Sequence, residues 1–343
     1  ASDSTHTSTD TATLTAILTN ANAAPTGSTF TLTTNVDAVS GTAYNDTING
    51  VLGTSGTYNI ADDIYGNSGN DTLKLISQSG SDSHIGLVSL NGVETVSVRS
   101  VGTAYASAGD EVSLNATEWS GVAVISNASS IANTRLDVSG VELTTTIVLN
   151  GNTDMQIGFR NTTTATSAVS VQLVNAGSAG TATTIGSASA TNTANLILDE
   201  ASADLISSVA IDVTGSINLA RIDAGSNVTT YTITGSGNAS LVTDDTITSF
   251  DASAAAGTID LVLEGASDVT VKGGAGNDTF RFGTTFSNND SVNGGSGTDT
   301  VYATIGGFSR NLQTTNVEAA VISFNDDNGG TLNVTATTLT AYT

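Results

Sequence analysis

The chain has 343 residues and a formal net charge of −24, from 32 Asp and Glu against eight Lys and Arg; two lysines, Lys74 and Lys272, cannot supply the clustered cations that nucleic-acid phosphates require, which excludes a nucleic-acid partner. There is no cysteine, so disulfides and thiolate metal sites are excluded, and no apolar run is long enough to form a transmembrane segment. Only 12% of residues are charged while 38% are hydrophobic, which argues against disorder despite the charge.

Val, Ile and Leu set among Thr and Ser, with 36 glycines and one proline, Pro25, form a composition for many short strands joined by tight turns. The acidity has two readings, a solubilising surface or a charge partly neutralised by bound cations, and the placement of the Asp residues decides between them.

In chain order, residues 1–27 are rich in Ser, Thr and Ala and are expected to form a linker or a short helix. They contain neither an initiator Met nor a basic signal-peptide region, and both chain ends read as those of a fragment of a longer chain.

Residues 28–99 form the first expected β module. Asp37 and Asp46 are one nonapeptide apart, each followed two positions later by an aliphatic, Val39 and Ile48. Asp62, with its neighbour Asp63, and Asp71 repeat the pattern with Ile64 and Leu73. Gly66-Asn67-Ser68-Gly69-Asn70-Asp71 precedes the last of these strands, and Asn91-Gly92-Val93-Glu94 follows it.

Residues 100–268 are expected to form a β-solenoid. Strand-like pieces such as Glu111–Leu114, Thr145–Leu149, Val169–Leu173, Val209–Val213 and Ile259–Leu263 are separated by Ser, Thr, Asn and Gly turns, often about 20 residues apart. A β-sandwich would give a similar pattern with turns about every 8–12 residues. The wider recurrence, without hairpin Asn-Gly turns at matched spacing, favours a parallel solenoid.

Residues 269–343 form a second module with the order of the first. Gly273-Gly274-Ala275-Gly276-Asn277-Asp278 and Gly294-Gly295-Ser296-Gly297-Thr298-Asp299 are followed by Thr315-Asn316-Val317-Glu318, and Asp290 and Asp299 are again one nonapeptide apart.

The nonapeptide Gly-Gly-x-Gly-x-Asp-x-U-x, with U apolar, is a calcium-binding repeat. Glycine lets the loop turn and its carbonyls converge. Calcium takes about six to eight oxygens, which carbonyls and carboxylates of two stacked loops can supply. The x-U-x tripeptide is a short strand with U facing inward, giving a core of one row of small aliphatics, too thin to hold the fold without metal. The candidate ligands are Asp37, Asp46, Asp62, Asp63, Asp71, Gly66 and Ser68 in the first module, and Gly273, Ala275, Asp278, Asp290, Gly294, Ser296 and Asp299 in the second. Asp299 follows Asp278 by one coil of two nonapeptides plus a short insertion. The two should therefore stack on one side of the roll, with Asp290 on the other.

These motifs resemble those of the RTX family, repeat proteins exported from Gram-negative bacteria by type I secretion, and the layout is similar to that of RTX-containing surface-layer proteins. The resemblance implies Ca2+-driven folding outside the cell, location at the bacterial surface, and self-association into a lattice or homo-oligomer, with a cell-surface glycan or lipopolysaccharide as a further partner. The alternative is a segment of a large RTX adhesin or biofilm protein that binds glycans or cells. The long uninterrupted repeat runs of RTX toxins are absent.

The chain is read as not an enzyme. His6 and His84, the only histidines, are far apart in sequence and lack the flanks of a zinc helix or a catalytic triad. Paired carboxylates of the kind that cleave glycosides stay open, because acidic residues are plentiful and solenoids host polysaccharide-cleaving enzymes.

Overall fold

A computed structural model describes residues 26–53, 55–78, 83–84, 86–102, 111–130, 135–160, 167–177, 193–200, 206–225, 227–243, 247–265, 268–305, 310–324, 332–336 and 341–342. The linker or short helix expected over 1–27 lies, apart from Thr26 and Gly27, outside the described residues, as does His6.

The described chain is all β and coils into a parallel solenoid. A 14-stranded sheet runs from Thr29–Thr31 to Leu332–Ala336, and a 12-stranded sheet runs opposite it from Ser83–His84 to Ala341–Tyr342. A third sheet of four short strands, Ala38–Ser40, Asp63–Tyr65, Ser89–Asn91 and Trp119–Ser120, accompanies the first coils. Each strand pairs in parallel with the strand one coil away, as Thr47 with Thr72 and Thr279 with Thr300. The first such step, Thr29 to Thr47, is two nonapeptides long. The strand pieces named for the middle of the chain are present, at Glu111–Asn115, Thr146–Asn150, Ser167–Val174, Ile206–Thr214 and Ile259–Leu263.

Two-residue alternation produces the core. In Thr72–Ser77 the inward positions Leu73 and Leu75 are buried while Lys74 and Ile76 face out. The U positions of the nonapeptides behave the same way. Ile48, Ile64, Leu73, Val271, Phe280 and Val301 are wholly buried and Val292 nearly so, while Val39 is half-buried against the same cluster.

One expectation is corrected. The core is not a single row of small aliphatics: Tyr58, Tyr231, Phe250, Phe280 and Phe282 are wholly buried, and one apolar cluster extends from Leu32 to Ile322. Of these aromatics, Tyr231, Phe250 and Phe280 point inward from strands, and Tyr58 and Phe282 come from insertions between nonapeptides. The insertions widen the coils, and Tyr58 in one insertion and the edge-to-face pair Phe282 and Phe286 in another fill the added width.

Where the four-stranded sheet ends, Arg160 holds the coils together. Its guanidinium donates to the carbonyls of Gly140, Ala116 and Trp119 at 2.8, 2.8 and 3.1 Å and pairs with Glu142 at 3.2 Å.

Candidate metal centre

Every nonapeptide loop turns a corner of the solenoid. Residues 41–46 and 66–71 carry the chain from the four-stranded sheet to the 14-stranded sheet, and 92–94 make the same corner one coil later. Residues 273–278, 294–299 and 316–318 stack likewise between the 14- and 12-stranded sheets. Asp37 and Asp62 occupy the other corner of the first roll, and Asp290 the other corner of the second.

The loop carboxylates form ladders between coils. At the first corner the Asp46 amide donates to Asp71 Oδ1 at 2.6 Å, and the Asp71 amide to Glu94 Oε2 at 2.7 Å. In the second roll the amides of Ile259, Asp278 and Asp299 donate to Asp278 Oδ1, Asp299 Oδ1 and Glu318 Oε2 at 2.8, 2.7 and 2.8 Å. The opposite corners repeat the bond, from Asp37 to Asp62 and from Val269 to Asp290, both at 2.8 Å. Asp278 and Asp299 thus stack on one side of the second roll with Asp290 on the other.

The second oxygen of each carboxylate separates two kinds of loop. In Asp37, Asp46, Asp62, Asp278 and Asp290 it accepts the amide of Thr33, Thr42, Asn59, Gly274 and Ser287 in its own loop. Oδ2 of Asp71 and Oδ2 of Asp299 are buried without a hydrogen-bond partner, in residues that are 0% exposed. The backbone explains the difference. In these two loops the residue after the first Gly has left-handed φ, 72° at Asn67 and 98° at Gly295.

Carbonyl oxygens crowd the same places. A Cβ on Gly273 would lie 2.0 Å from the Gly294 carbonyl oxygen and 2.5 Å from Asp278 Oδ2. On Gly294 it would lie 1.9 Å from the Asn316 carbonyl oxygen and 2.3 Å from Asp299 Oδ2. Gly41 and Gly66 face the same pair of oxygens, the next coil's carbonyl and their own loop's Asp. Where the carboxylate oxygen is also unpaired, at Asp71 beside Gly66 and at Asp299 beside Gly294, such a cluster of oxygens fits a hard cation such as Ca2+. Among the described residues no three His, Cys, Asp or Glu side chains converge, so backbone carbonyls must supply much of any coordination shell.

The remaining expected residues set the loops in register or stand apart. Ser68, Ala275 and Ser296 donate their amides to the carbonyls of Thr42, Ala255 and Gly274 one coil away. Asp63 opens the strand Asp63–Tyr65, whose inward residue is Ile64, and so lies on the outer side of that strand, away from the corner that Asp62 occupies.

Burial of these carboxylates in an acidic chain moves their protonation. The Asp299 carboxyl is pushed up to about 6, chiefly by burial and further by the carboxylates of Asp278 and Glu318. Asp71 is raised by burial and by Asp46 and Glu94, and burial also raises Asp278 and Asp290. For Asp46 burial also acts upward, but hydrogen bonds from Ser28 and Thr42 outweigh it and hold the group low. Basic side chains pair elsewhere, Arg281 with Asp260 and Lys272 with Asp251.

Four copies of the RTX calcium-binding nonapeptide repeat match this chain, over residues 33–51, 61–74, 265–284 and 287–307. The chain carries RTX-type repeats. Its RTX repeats bind Ca2+, and the matched spans contain every ligand expected from the sequence. No curated protein matches the chain. RTX repeat proteins are typically exported by type I secretion.

Glu94 and Glu318 lie outside the RTX spans, and their place at the end of each ladder was not read from the sequence. The available signal was their recurrence directly after Val93 and Val317, in the coil that follows Asp71 and Asp299.

A pH dependence follows for the RTX sites. With Asp299 raised, the metal-free folded state holds more protons than the unfolded chain between the ordinary Asp range and about pH 6. Stability of the metal-free protein should therefore fall as pH rises through that window. Ca2+ must displace the proton, so its apparent affinity should weaken as pH drops below about 6. Calorimetric titration in buffers of differing ionisation enthalpy should show proton release that grows below that pH; Ca2+ binding without proton release there would contradict the assignment.

Proposed function

We propose that Asp71, Asp278 and Asp299, with carbonyls of the glycine loops, hold Ca2+ between coils, and that the chain is a non-enzymatic structural segment of a bacterial surface layer. The observation that carries this reading is the pair of RTX rolls flanking the middle of one unbroken 14-stranded sheet. Metal at both flanks makes the whole length of the solenoid depend on Ca2+, which is scarce in the cytosol and abundant outside the cell. The chain is kept unfolded for export and becomes a stiff rod once outside. A stiff, disulfide-free rod whose core is closed by metal suits a repetitive coat in which copies of the chain contact one another.

Negative-stain microscopy of the full-length protein, with and without Ca2+, tests the assembly. Ordered sheets that form on Ca2+ addition and dissolve in chelator are expected. Dispersed single particles in Ca2+ that instead bind a glycan, lipopolysaccharide or cells would replace the coat reading with that of an adhesin.

A further inference from the structure

Both ladders run past the nonapeptides and end on a glutamate. The loops below those glutamates are the two whose aspartates, Asp71 and Asp299, keep an unpaired buried Oδ2. In each case three features coincide. The Asp amide is held by the next coil's glutamate, at 2.7 Å from Glu94 and 2.8 Å from Glu318. The loop's second residue, Asn67 or Gly295, has left-handed φ, and no amide of the loop caps Oδ2, as one does in 41–46 and 273–278. The carbonyl of the next coil, from Gly92 or Asn316, reaches within 1.9 Å of where a Cβ on Gly66 or Gly294 would stand, beside that Oδ2. A buried carboxylate oxygen facing a carbonyl oxygen, with a second carboxylate one coil on, is repulsive without a cation. The arrangement recurs in two loops at opposite ends of the described chain.

We propose that each row of calcium sites ends in one further Ca2+ site that reaches beyond the RTX spans, closed by Glu94 with Asp71 and the Gly92 carbonyl, and by Glu318 with Asp299 and the Asn316 carbonyl. Glutamate suits the last position because its longer arm can reach back across the coil spacing from a corner that lacks the full glycine loop. The segment 92–94 takes the corner in half the length that 66–71 needs.

The inference rests on Asp71 and Asp299 being ligands, and one experiment separates the two claims. Bound Ca2+ per chain is counted by equilibrium dialysis with elemental analysis for the wild type, Glu94→Gln, Glu318→Gln and the double variant. Glutamine keeps an acceptor for the Asp71 or Asp299 amide, so a purely structural cap would leave the count unchanged. Each single variant should lose one ion and the double variant two. A full count in folded Gln variants overturns this inference alone; a wild type that binds no Ca2+ overturns the ligand reading beneath it. If a Gln variant does not fold in millimolar Ca2+, the count is made on Glu94→Asp and Glu318→Asp. These keep the charge on a shorter arm, and they should bind one ion fewer or bind it at least tenfold more weakly. Unchanged number and affinity there would also overturn the proposal.

Discussion

Asp278→Ala combined with Asp299→Ala should cost this protein more stability in saturating Ca2+ than Phe280→Ala does, although Phe280 is a wholly buried aromatic. Truncating a buried Phe costs about 3–5 kcal/mol. The double variant leaves the amides of Ile259, Gly274 and Asp278 without their carboxylate acceptors. Hydrogen bonds to a charged group are worth about 1.5–3 kcal/mol each. It also forfeits the stabilisation from any ion held there, about 2.7 kcal/mol when free Ca2+ is a hundredfold above Kd. Denaturant unfolding in Ca2+ and in EDTA separates the two contributions. In chelator the gap between wild type and double variant should narrow, because the wild type has lost its ion and regained its carboxylate repulsion. A gap of the same size in both media would mean that the aspartates act only as backbone acceptors. In Ca2+, limited proteolysis of the variant should cut first between 269 and 305.

Gly294→Ala should destabilise by about 3 kcal/mol, the upper end of what overpacking costs, and should abolish Ca2+ binding at its loop. The φ at Gly294 lies outside the left-handed region, so alanine meets no intrinsic backbone penalty there. What it meets is oxygen, the Asn316 carbonyl at 1.9 Å and Asp299 Oδ2 at 2.3 Å from the added methyl. The coils cannot move apart to make room without stretching the parallel ladders on both sides, where strands sit about 4.8 Å apart. Gly283→Ala is the matched control. Its φ is +56° but nothing lies within 4 Å of the added carbon, so it should cost only the left-handed strain, about 1–2 kcal/mol. Equal losses for the two variants would show that the space over Gly294 is not a filled oxygen cradle.

Much of this architecture was legible because one spacing does two jobs. Each nonapeptide carries both an inward aliphatic and a corner aspartate, so Ile48, Leu73 and Val301 announce the core while Asp46, Asp71 and Asp299 announce the corners. The step from Thr29 to Thr47 is that spacing doubled. The illegible parts lie where the spacing fails. The four-stranded sheet is built from strands of two or three residues, too short to carry a period. Part of the aromatic core arises inside insertions, and nothing in the residues around Tyr58 or Phe286 says that a loop folds inward. Asp63 looked equivalent to Asp62, but the alternation set by Ile64 places it on the outer side of its strand. Glu94 and Glu318 recur visibly, yet their distances from Asp71 and Asp299 are not multiples of the repeat, so they fall outside the nonapeptide count. Their role appears only when the coils are stacked.

The central claim is that Ca2+ between the RTX loops is part of the fold. The most direct measurement is thermal unfolding of the chain by circular dichroism, in millimolar Ca2+ and again after chelation, with Ca2+ then restored. Each site that binds only the folded state raises stability with the logarithm of free Ca2+, so the melting temperature should climb steadily through a Ca2+ series, drop sharply in EDTA, and recover when Ca2+ returns but not when Mg2+ replaces it. A melting curve that EDTA leaves unmoved would contradict the account.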